Sequence, residues 1–280
     1  MALRQIRHPY FNLIFHSYRL TLKHMNKIKL IFCFFIFQLF FSAQVFADEL
    51  RIAVASNFYP TLKEIVKSYV LYQNNSLGQK HDLVLIPGSS GKHFAQIMNG
   101  APFDIFFSAD DLRPLLLEQN GKTINKSRHT YALGQLILWS PINDLIDKKA
   151  SILQSRDFRF IAMANPKIAP YGEATRQTLT SMNLWKALEE KLIRGENIAQ
   201  TFQFVNSGNA KLGFISFSQI ANSNYEVNGS YWKVPKSLYE PIEQQVVLLN
   251  ESLLAEDFLS YLFSAESQQI ISRFGYDIPL

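Results

Sequence analysis

Short apolar and β-branched runs alternate with segments of helical periodicity along residues 48–280, and this alternation restricts the possible folds more than any other feature. Residues 50–55 are typical of a buried strand. Residues 60–70 carry apolar side chains at helical spacing, with Pro60 in the first turn, where its missing N–H costs no hydrogen bond. The pattern predicts further strands at 82–86, 103–107, 135–139, 160–164, 211–215 and 244–249, and further helices at 92–98, 173–182, 184–193, 195–205 and 253–273. Such alternation predicts an α/β fold with parallel sheets.

Residues 1–47 differ from the rest of the chain in charge, because they hold six of the 28 Lys and Arg and none of the 23 Asp and Glu. A basic stretch at 25–29 precedes an apolar run at 30–41. Residues 45–47 (VFA) then place small residues at the two positions that a signal peptidase recognises, directly before Asp48. This order predicts a cleaved signal peptide over approximately 25–47, with 1–24 as a mis-assigned extension and a true start at Met25 rather than Met1. An uncleaved membrane anchor is the alternative, but a spanning helix needs about 20 apolar residues.

Without this leader, the chain is a nearly neutral protein of 233 residues, with 22 Lys and Arg against 23 Asp and Glu. No basic run with phosphate-contact spacing follows Ala47, so the sequence excludes a nucleic-acid binder. The one cysteine, Cys33, lies inside the leader, which excludes disulfides and thiol chemistry from the exported part. Because Cys33 sits in the middle of the apolar run, a lipoprotein anchor is disfavoured. These features predict a free periplasmic protein of a Gram-negative bacterium.

Several of the predicted strand-to-helix turns are rich in Ser, Asn and Gly. They include Ser56-Asn57, residues 89–91, residues 171–172 and residues 196–198. Ligands of open α/β sheets bind outside the carboxyl ends of the strands. Helix N-termini at that edge present free N–H groups and a partial positive charge of roughly half a unit. Each turn alone is consistent with an ordinary N-cap. Together the turns suggest an anion site built from dipoles and small hydroxyl groups.

Enzyme signatures are weak in this chain. Residues 88–91 (GSSG) lack the spacing of a nucleophile elbow and the length of a P-loop, although Lys92 follows them. The histidines after the leader show no metal-ligand spacing and are interpreted as surface or packing residues; they are His81, His93 and His129. Asp104, Asp110 and Asp111 could form an acid/base set, but capping and turn formation are favoured. The sequence therefore predicts a protein that is not an enzyme.

Six segments resemble the periplasmic molybdate-binding proteins of ABC importers, in the order in which that family has them. The segments are 53–57 (AVASN), 88–97 (GSSGKHFAQI), 100–110 (GAPFDIFFSAD), 165–172 (NPKIAPYG), 195–205 (GENIAQTFQFV) and 208–219 (GNAKLGFISFSQ). The resemblance continues to residues 273–278 (RFGYDI) and covers essentially the whole chain after the leader.

The resemblance implies a two-lobed periplasmic binding protein fold of type II, with a mostly parallel sheet flanked by helices in each lobe and the ligand in the cleft between them. The implied boundaries are 48–131 plus 241–280 for lobe I and 132–240 for lobe II. The implied ligand contacts are Ser56, Asn57, Ser90 or its neighbour Ser89, and the backbone N–H groups of Tyr171 and Ile198. Some family members have a further contact, a Tyr, at the position of Ser216.

The implied ligand is molybdate, with tungstate as a second ligand, and the implied partner is the membrane permease of an ABC importer. The protein is expected to be a monomer and to need no cofactor. No metal-ligating side chain is expected, since the oxyanion is held by its oxygens. A fully deprotonated dianion offers only acceptors and suits a donor-only pocket, whereas a protonated phosphate would leave a donor facing donors, at a cost of about 1–3 kcal/mol. The alternatives are another oxyanion, a small organic acid, or a secreted serine hydrolase using Ser89 or Ser90.

Overall fold

The computed structural model describes residues 49–76, 82–221 and 229–279, and these described residues belong to one compact unit. The predicted leader, 1–47, lies outside the described residues, and so do Asp48 and His81. Within the described ranges, the helices are all too short or too polar to cross a bilayer. The strands and helices below are numbered in chain order.

The first sheet has five strands in the order β2-β1-β3-β10-β4. Its strands are β1 (Glu49–Ala55), β2 (Asp82–Gly88), β3 (Ile105–Phe107), β4 (His129–Gly134) and β10 (Ile242–Leu248). β1 pairs in parallel with β2 and β3, while β10 pairs antiparallel with β3 and β4. Four of the five strands therefore run in one direction and only β10 is reversed.

The second sheet repeats this plan in the order β7-β6-β8-β5-β9. Its strands are β5 (Leu136–Ser140), β6 (Ile161–Ala164), β7 (Leu192–Gly195), β8 (Leu212–Ser216) and β9 (Ser230–Lys233). β6 is parallel to β7 and β8, whereas β5 is antiparallel to β8 and β9. The prediction of an α/β fold with mostly parallel sheets is confirmed in strand direction, with one reversed strand in each sheet.

The helices cover both faces of the sheets, as parallel sheets require for burial. They are α1 (Tyr59–Ser76), α2 (Ser90–Met98), α3 (Leu112–Gln119), α4 (Ile152–Ser155), α5 (Pro170–Ser181), α6 (Trp185–Leu188), α7 (Ile198–Asn206), α8 (Ser218–Ala221), α9 (Leu253–Leu262) and α10 (Ala265–Arg273), with 3-10 turns at Glu189–Lys191 and Lys236–Leu238. One face of the first sheet packs on α1, α9 and α10, and the other packs on α2 and α3. α5 and α7 cover opposite faces of the second sheet.

We call the first sheet with its helices lobe I and the second sheet with its helices lobe II. A single residue, Gln135, separates β4 from β5 where the chain passes to lobe II, and residues 234–241 bring it back to β10. The predicted boundary after residue 131 falls within β4, which pairs with β10 of the first sheet. The exact division of the chain into lobes stays a prediction.

Three local predictions were incomplete. Residues 184–193 were predicted as one helix, but α6 ends at Leu188, and β7 begins at Leu192 and pairs in parallel with β6. The apolar spacing of this segment fits a helix, and sheet pairing overrides that local preference. β4 and β9 were not predicted; both are short strands at sheet edges, where partial exposure weakens the pattern. The C-terminal helical segment is interrupted at Ser264, which caps α10 by accepting from the Ser267 N–H.

Candidate functional site

The four polar turns meet at one small cavity between the lobes. Lobe I contributes the end of β1 and the turn from β2 into α2, and lobe II contributes the first turns of α5 and α7. The cavity is lined by Ala55, Ser56, Asn57, Gly88, Ser89, Ser90, Ala109, Ala169, Pro170, Tyr171, Asn197 and Ile198. The structure thus brings together all six residues that the resemblance implied as ligand contacts.

The cavity is small. Its volume is about 10 Å³, which is about the room that one ordered water needs. Pockets for drug-sized organic ligands measure about 300–1,000 Å³. The site is therefore far too small for an extended organic molecule.

Each of the three serine hydroxyls at the cavity accepts a hydrogen bond from a backbone N–H. Ser90 Oγ accepts from the Ala109 N–H (2.9 Å), Ser89 Oγ from the Lys92 N–H (3.4 Å), and Ser56 Oγ from the Ala199 N–H (3.4 Å). Across residues 49–76, 82–221 and 229–279, none of these three hydroxyls donates a hydrogen bond. Their hydrogens are therefore available to an acceptor placed in the cavity.

Two backbone donors come from the first turns of lobe II helices. Tyr171 is the second residue of α5, after Pro170, and Ile198 is the first residue of α7. First-turn N–H groups have no partner within their helix. Asn197 caps α7 by accepting from the Gln200 N–H (3.0 Å), which leaves the Ile198 N–H unpaired among the described groups. Both residues are almost fully buried and both line the cavity, so these two N–H groups are shielded from bulk water.

The cavity carries no formal charge, since its lining residues in the described ranges are all neutral. Lys92 is exposed and does not line the cavity. The nearest ion pair joins Asp110 and Arg113 on the neighbouring surface between the lobes. An anion in this cavity would be balanced by dipoles and hydrogen bonds and not by a cation.

The side chain of Asn57 faces a buried polar network behind the cavity. Its Nδ2 donates to Gln244 Oε1 (2.8 Å) and lies 3.1 Å from the Tyr276 hydroxyl, which is also 2.9 Å from the Asn57 carbonyl. Both amide hydrogens are therefore occupied, and the backbone N–H of Asn57, a residue that lines the cavity, has no hydrogen-bond partner among the described residues. Sequence reasoning missed Gln244 and Tyr276; a glutamine within an apolar strand was the signal for the first.

Ser216 lies in the same network and does not line the cavity. Its hydroxyl donates to the Tyr171 hydroxyl (2.9 Å) and lies 2.8 Å from Ser218 Oγ. Gln244 Nε2 also donates to the Tyr171 hydroxyl (3.3 Å). Through the Tyr171 hydroxyl, the network joins β10 of lobe I to α5 and β8 of lobe II.

Burial keeps the network tyrosines protonated. It raises the pKa of Tyr276 to about 12, and it raises the pKa of Tyr131 and of Tyr171 well above the usual value for tyrosine. The Tyr131 hydroxyl lies 3.0 Å from the Ser108 carbonyl and 3.1 Å from Gln244 Oε1, and either oxygen can accept its single hydrogen. At neutral pH the network is therefore uncharged.

Most of the groups considered for catalysis have structural partners. Asp104 accepts from the Arg51 N–H, Asp110 pairs with Arg113, and Asp111 precedes α3 without a side-chain capping bond. His93 Nδ1 contacts Gln96 Oε1 (3.2 Å), its ring packs against Gly88, and burial lowers its pKa. His129 is exposed and lies edge-on to Phe263.

Neither Ser89 nor Ser90 forms a hydrogen bond to a histidine among the described residues. The nearby His93 is engaged by Gln96 instead. Among the same residues, no three His, Cys, Asp or Glu side chains cluster in a way that could hold a metal ion. The predicted serine-hydrolase alternative therefore lacks a positioned base for its nucleophile.

The fold and the interlobe site define a solute-binding protein. The family profile described as bacterial extracellular solute-binding protein matches residues 50–277, and the chain belongs to that family. The molybdate-binding protein ModA of Azotobacter vinelandii is 39% identical over 235 residues, or 83% of this chain and 91% of the relative. ModA of Rhodobacter capsulatus is 37% identical over 233 residues, or 82% and 88%.

The solved structure of the Azotobacter vinelandii periplasmic molybdate-binding protein is similar to this one with a TM-score of 0.77 and 37% identity. The match covers 82% of this chain and 100% of that chain. The predicted family and fold class are confirmed by these similarities and by the profile match.

Proposed function

We propose that this protein binds molybdate, and also tungstate, in the interlobe cavity and delivers it to the membrane permease of an ABC importer. The observation that carries the proposal is the neutral, donor-rich lining of one small cavity: three serine hydroxyls that donate to no described group, and Asn57, Tyr171 and Ile198, whose backbone N–H groups have no partner among the described residues. The named relatives are molybdate-binding proteins, which supports this choice of anion.

The donor set favours a fully deprotonated tetrahedral dianion. All of its oxygens accept, so every donor around the cavity can be satisfied. Phosphate at neutral pH carries at least one proton, and no carboxylate in the described lining could accept it. A buried donor facing other donors costs about 1–3 kcal/mol, which corresponds to about 5- to 150-fold in affinity.

Calorimetric titration of the exported protein with molybdate, tungstate, sulfate and phosphate tests the proposal. We expect tight stoichiometric binding of molybdate and tungstate, weak binding of sulfate and no binding of phosphate. Equal affinities for all four anions, or binding of none, would refute a selective oxyanion site. A native mass spectrum showing a bound organic acid would point to a different solute instead.

We further propose that the protein works in the periplasm as a monomer without a cofactor and has no enzymatic activity. Export would remove the leader after Ala47, as the sequence predicts. The intact mass of the periplasmic form should correspond to a start at Asp48, and residues retained from before Ala47 would contradict this. Labelling by a serine-reactive fluorophosphonate would support the hydrolase alternative, and we expect none.

A further inference from the structure

Beside the cavity, the two lobes touch backbone to backbone. The Gly91 N–H at the start of α2 in lobe I donates to the Ile168 carbonyl of lobe II (2.9 Å). A Cβ placed on Gly91 would lie 2.8 Å from both the Cα and the carbonyl oxygen of Ile168, closer than side-chain carbons approach backbone atoms. A residue with a side chain therefore cannot occupy position 91 while the lobes are this close.

The conformation of Gly91 does not require glycine. Its φ angle is negative, unlike those of Gly100, Gly121, Gly208 and Gly275. It is the second residue of a regular helix, a position at which alanine is more favourable than glycine. The approach of lobe II is thus the physical reason that position 91 lacks a side chain.

A second contact crosses the cleft next to the first. Arg113 Nη2 donates to the Lys167 carbonyl (3.4 Å), one residue before Ile168, while Arg113 Nη1 pairs with Asp110. The side chains of Arg113 and Asp110 are only 15% and 16% exposed. The pair holds the guanidinium in place and also neutralises a carboxylate that lies close to the proposed anion site.

We infer that the Gly91–Ile168 contact is the stop that sets how far the cleft closes, and that it thereby sets the affinity and size preference of the site. This inference rests on the proposed function. The donors are divided between the lobes: Ser56, Asn57, Ser89 and Ser90 belong to lobe I, whereas Tyr171 and Ile198 belong to lobe II. Ser90 directly precedes Gly91, and Tyr171 is three residues after Ile168, so this contact controls the distance between the two donor sets.

A methyl group at position 91 would have to move Ile168 away by about 0.6 Å to reach an ordinary contact distance of 3.4 Å. A hydrogen bond of about 2.9 Å from an anion oxygen to a lobe II donor would lengthen toward about 3.5 Å, where it is largely lost. The substitution would thus weaken the site without changing any group that contacts the anion.

The test compares Gly91→Ala with wild type and with Lys92→Ala, a control at the next, exposed helix position. We expect Gly91→Ala to lose at least tenfold in molybdate affinity by calorimetry, while the Tm of its ligand-free form equals or exceeds that of wild type. Lys92→Ala should keep wild-type affinity. The absence of cysteine after Cys33 allows spin labels at Lys122→Cys and Lys186→Cys, one exposed position in each lobe. With saturating molybdate, the label distance should differ between Gly91→Ala and wild type.

Three results would overturn the inference, and they are distinguishable. Wild-type affinity in Gly91→Ala would show that the contact does not limit closure. A Tm of ligand-free Gly91→Ala below that of wild type would show permanent packing rather than a contact made on closing. If wild type itself bound no molybdate, the proposed function would fail and the inference with it.

Discussion

Replacing Ser90 with alanine tests the proposed anion site at a single atom. Ser90 is fully buried, and its hydroxyl accepts from the Ala109 N–H (2.9 Å) with its own hydrogen free to donate into the cavity. The substitution removes that hydrogen bond and enlarges the cavity slightly, but it leaves α2 and its cap at Ser89 intact.

Two effects of Ser90→Ala can be separated. Loss of one hydrogen bond to a charged ligand costs roughly 1.5–3 kcal/mol, which raises Kd about 10- to 150-fold. The unpaired Ala109 N–H costs a further 1–3 kcal/mol or so of folding free energy in the ligand-free protein, or about 2–12 °C in Tm for a domain of this size. The first effect appears only in binding, and the second appears without ligand.

Calorimetry measures the first effect and thermal unfolding of the ligand-free protein measures the second. Lys92→Ala is the matched control, because Lys92 is the nearest cation on the same helix and does not line the cavity. If Lys92→Ala abolished molybdate binding while Ser90→Ala left it unchanged, the argument for an anion held by neutral donors would be wrong.

Three further outcomes follow from the same structure. Molybdate and tungstate at a thousandfold excess over Kd should stabilise the protein by about 4 kcal/mol and raise Tm by about 8–16 °C, whereas phosphate should not; equal shifts with all anions would indicate non-specific ion effects. Burial, opposed by the Gln96 hydrogen bond, lowers the pKa of His93 below 6.5, so the unfolded chain binds the proton first as pH falls. The contribution of neutral His93 to stability is then complete above about pH 6.5 and is lost as pH falls through the lower folded-state pKa. The slope of this loss is at most about 1.4 kcal/mol per pH unit. His93→Gln should therefore flatten the fall in Tm between pH 7 and 5, whereas the control His129→Gln, at an exposed site, should not. Tyr276→Phe removes a hydroxyl that is hydrogen-bonded to Asn57 behind the cavity. Denaturant titration should show a loss of about 1–3 kcal/mol in unfolding free energy, and calorimetry should show less than a tenfold rise in molybdate Kd. A larger loss of affinity than of stability would mean that this hydroxyl acts on the ligand.

The alternation of strands and helices was enough to predict the fold class, because in an α/β protein a β-branched run that ends in a polar turn forms a buried strand. The order of the strands within each sheet could not be predicted in this way. β10 follows β9 in sequence by only a short connection, yet it inserts between β3 and β4 of the first sheet. Such pairings depend on contacts between distant residues, which local periodicity does not encode.

The convergence of the four turns could be expected from the rule that parallel strands end at one edge of a sheet. The direction of individual groups could not. Asn57 lines the cavity and its contact with the ligand stays a prediction, but its side chain donates to Gln244, which lies 187 residues away in the chain. Ser216, considered as a substitute for a ligand-contacting Tyr, holds the Tyr171 hydroxyl behind the cavity. Both roles depend on partners that the fold brings in from elsewhere.

The division of the donors between the lobes has a consequence for delivery. An anion held by Lys or Arg on one lobe would stay bound when the cleft opens, because a formal charge attracts over several ångströms. Neutral hydroxyl and N–H donors act only at hydrogen-bond distance. If the anion is bound as proposed, opening the cleft removes the Tyr171 and Ile198 donors at once and exposes the ion to water, which competes for the remaining ones. A permease that pulls the lobes apart would thus release the ion without any change in charge on the protein.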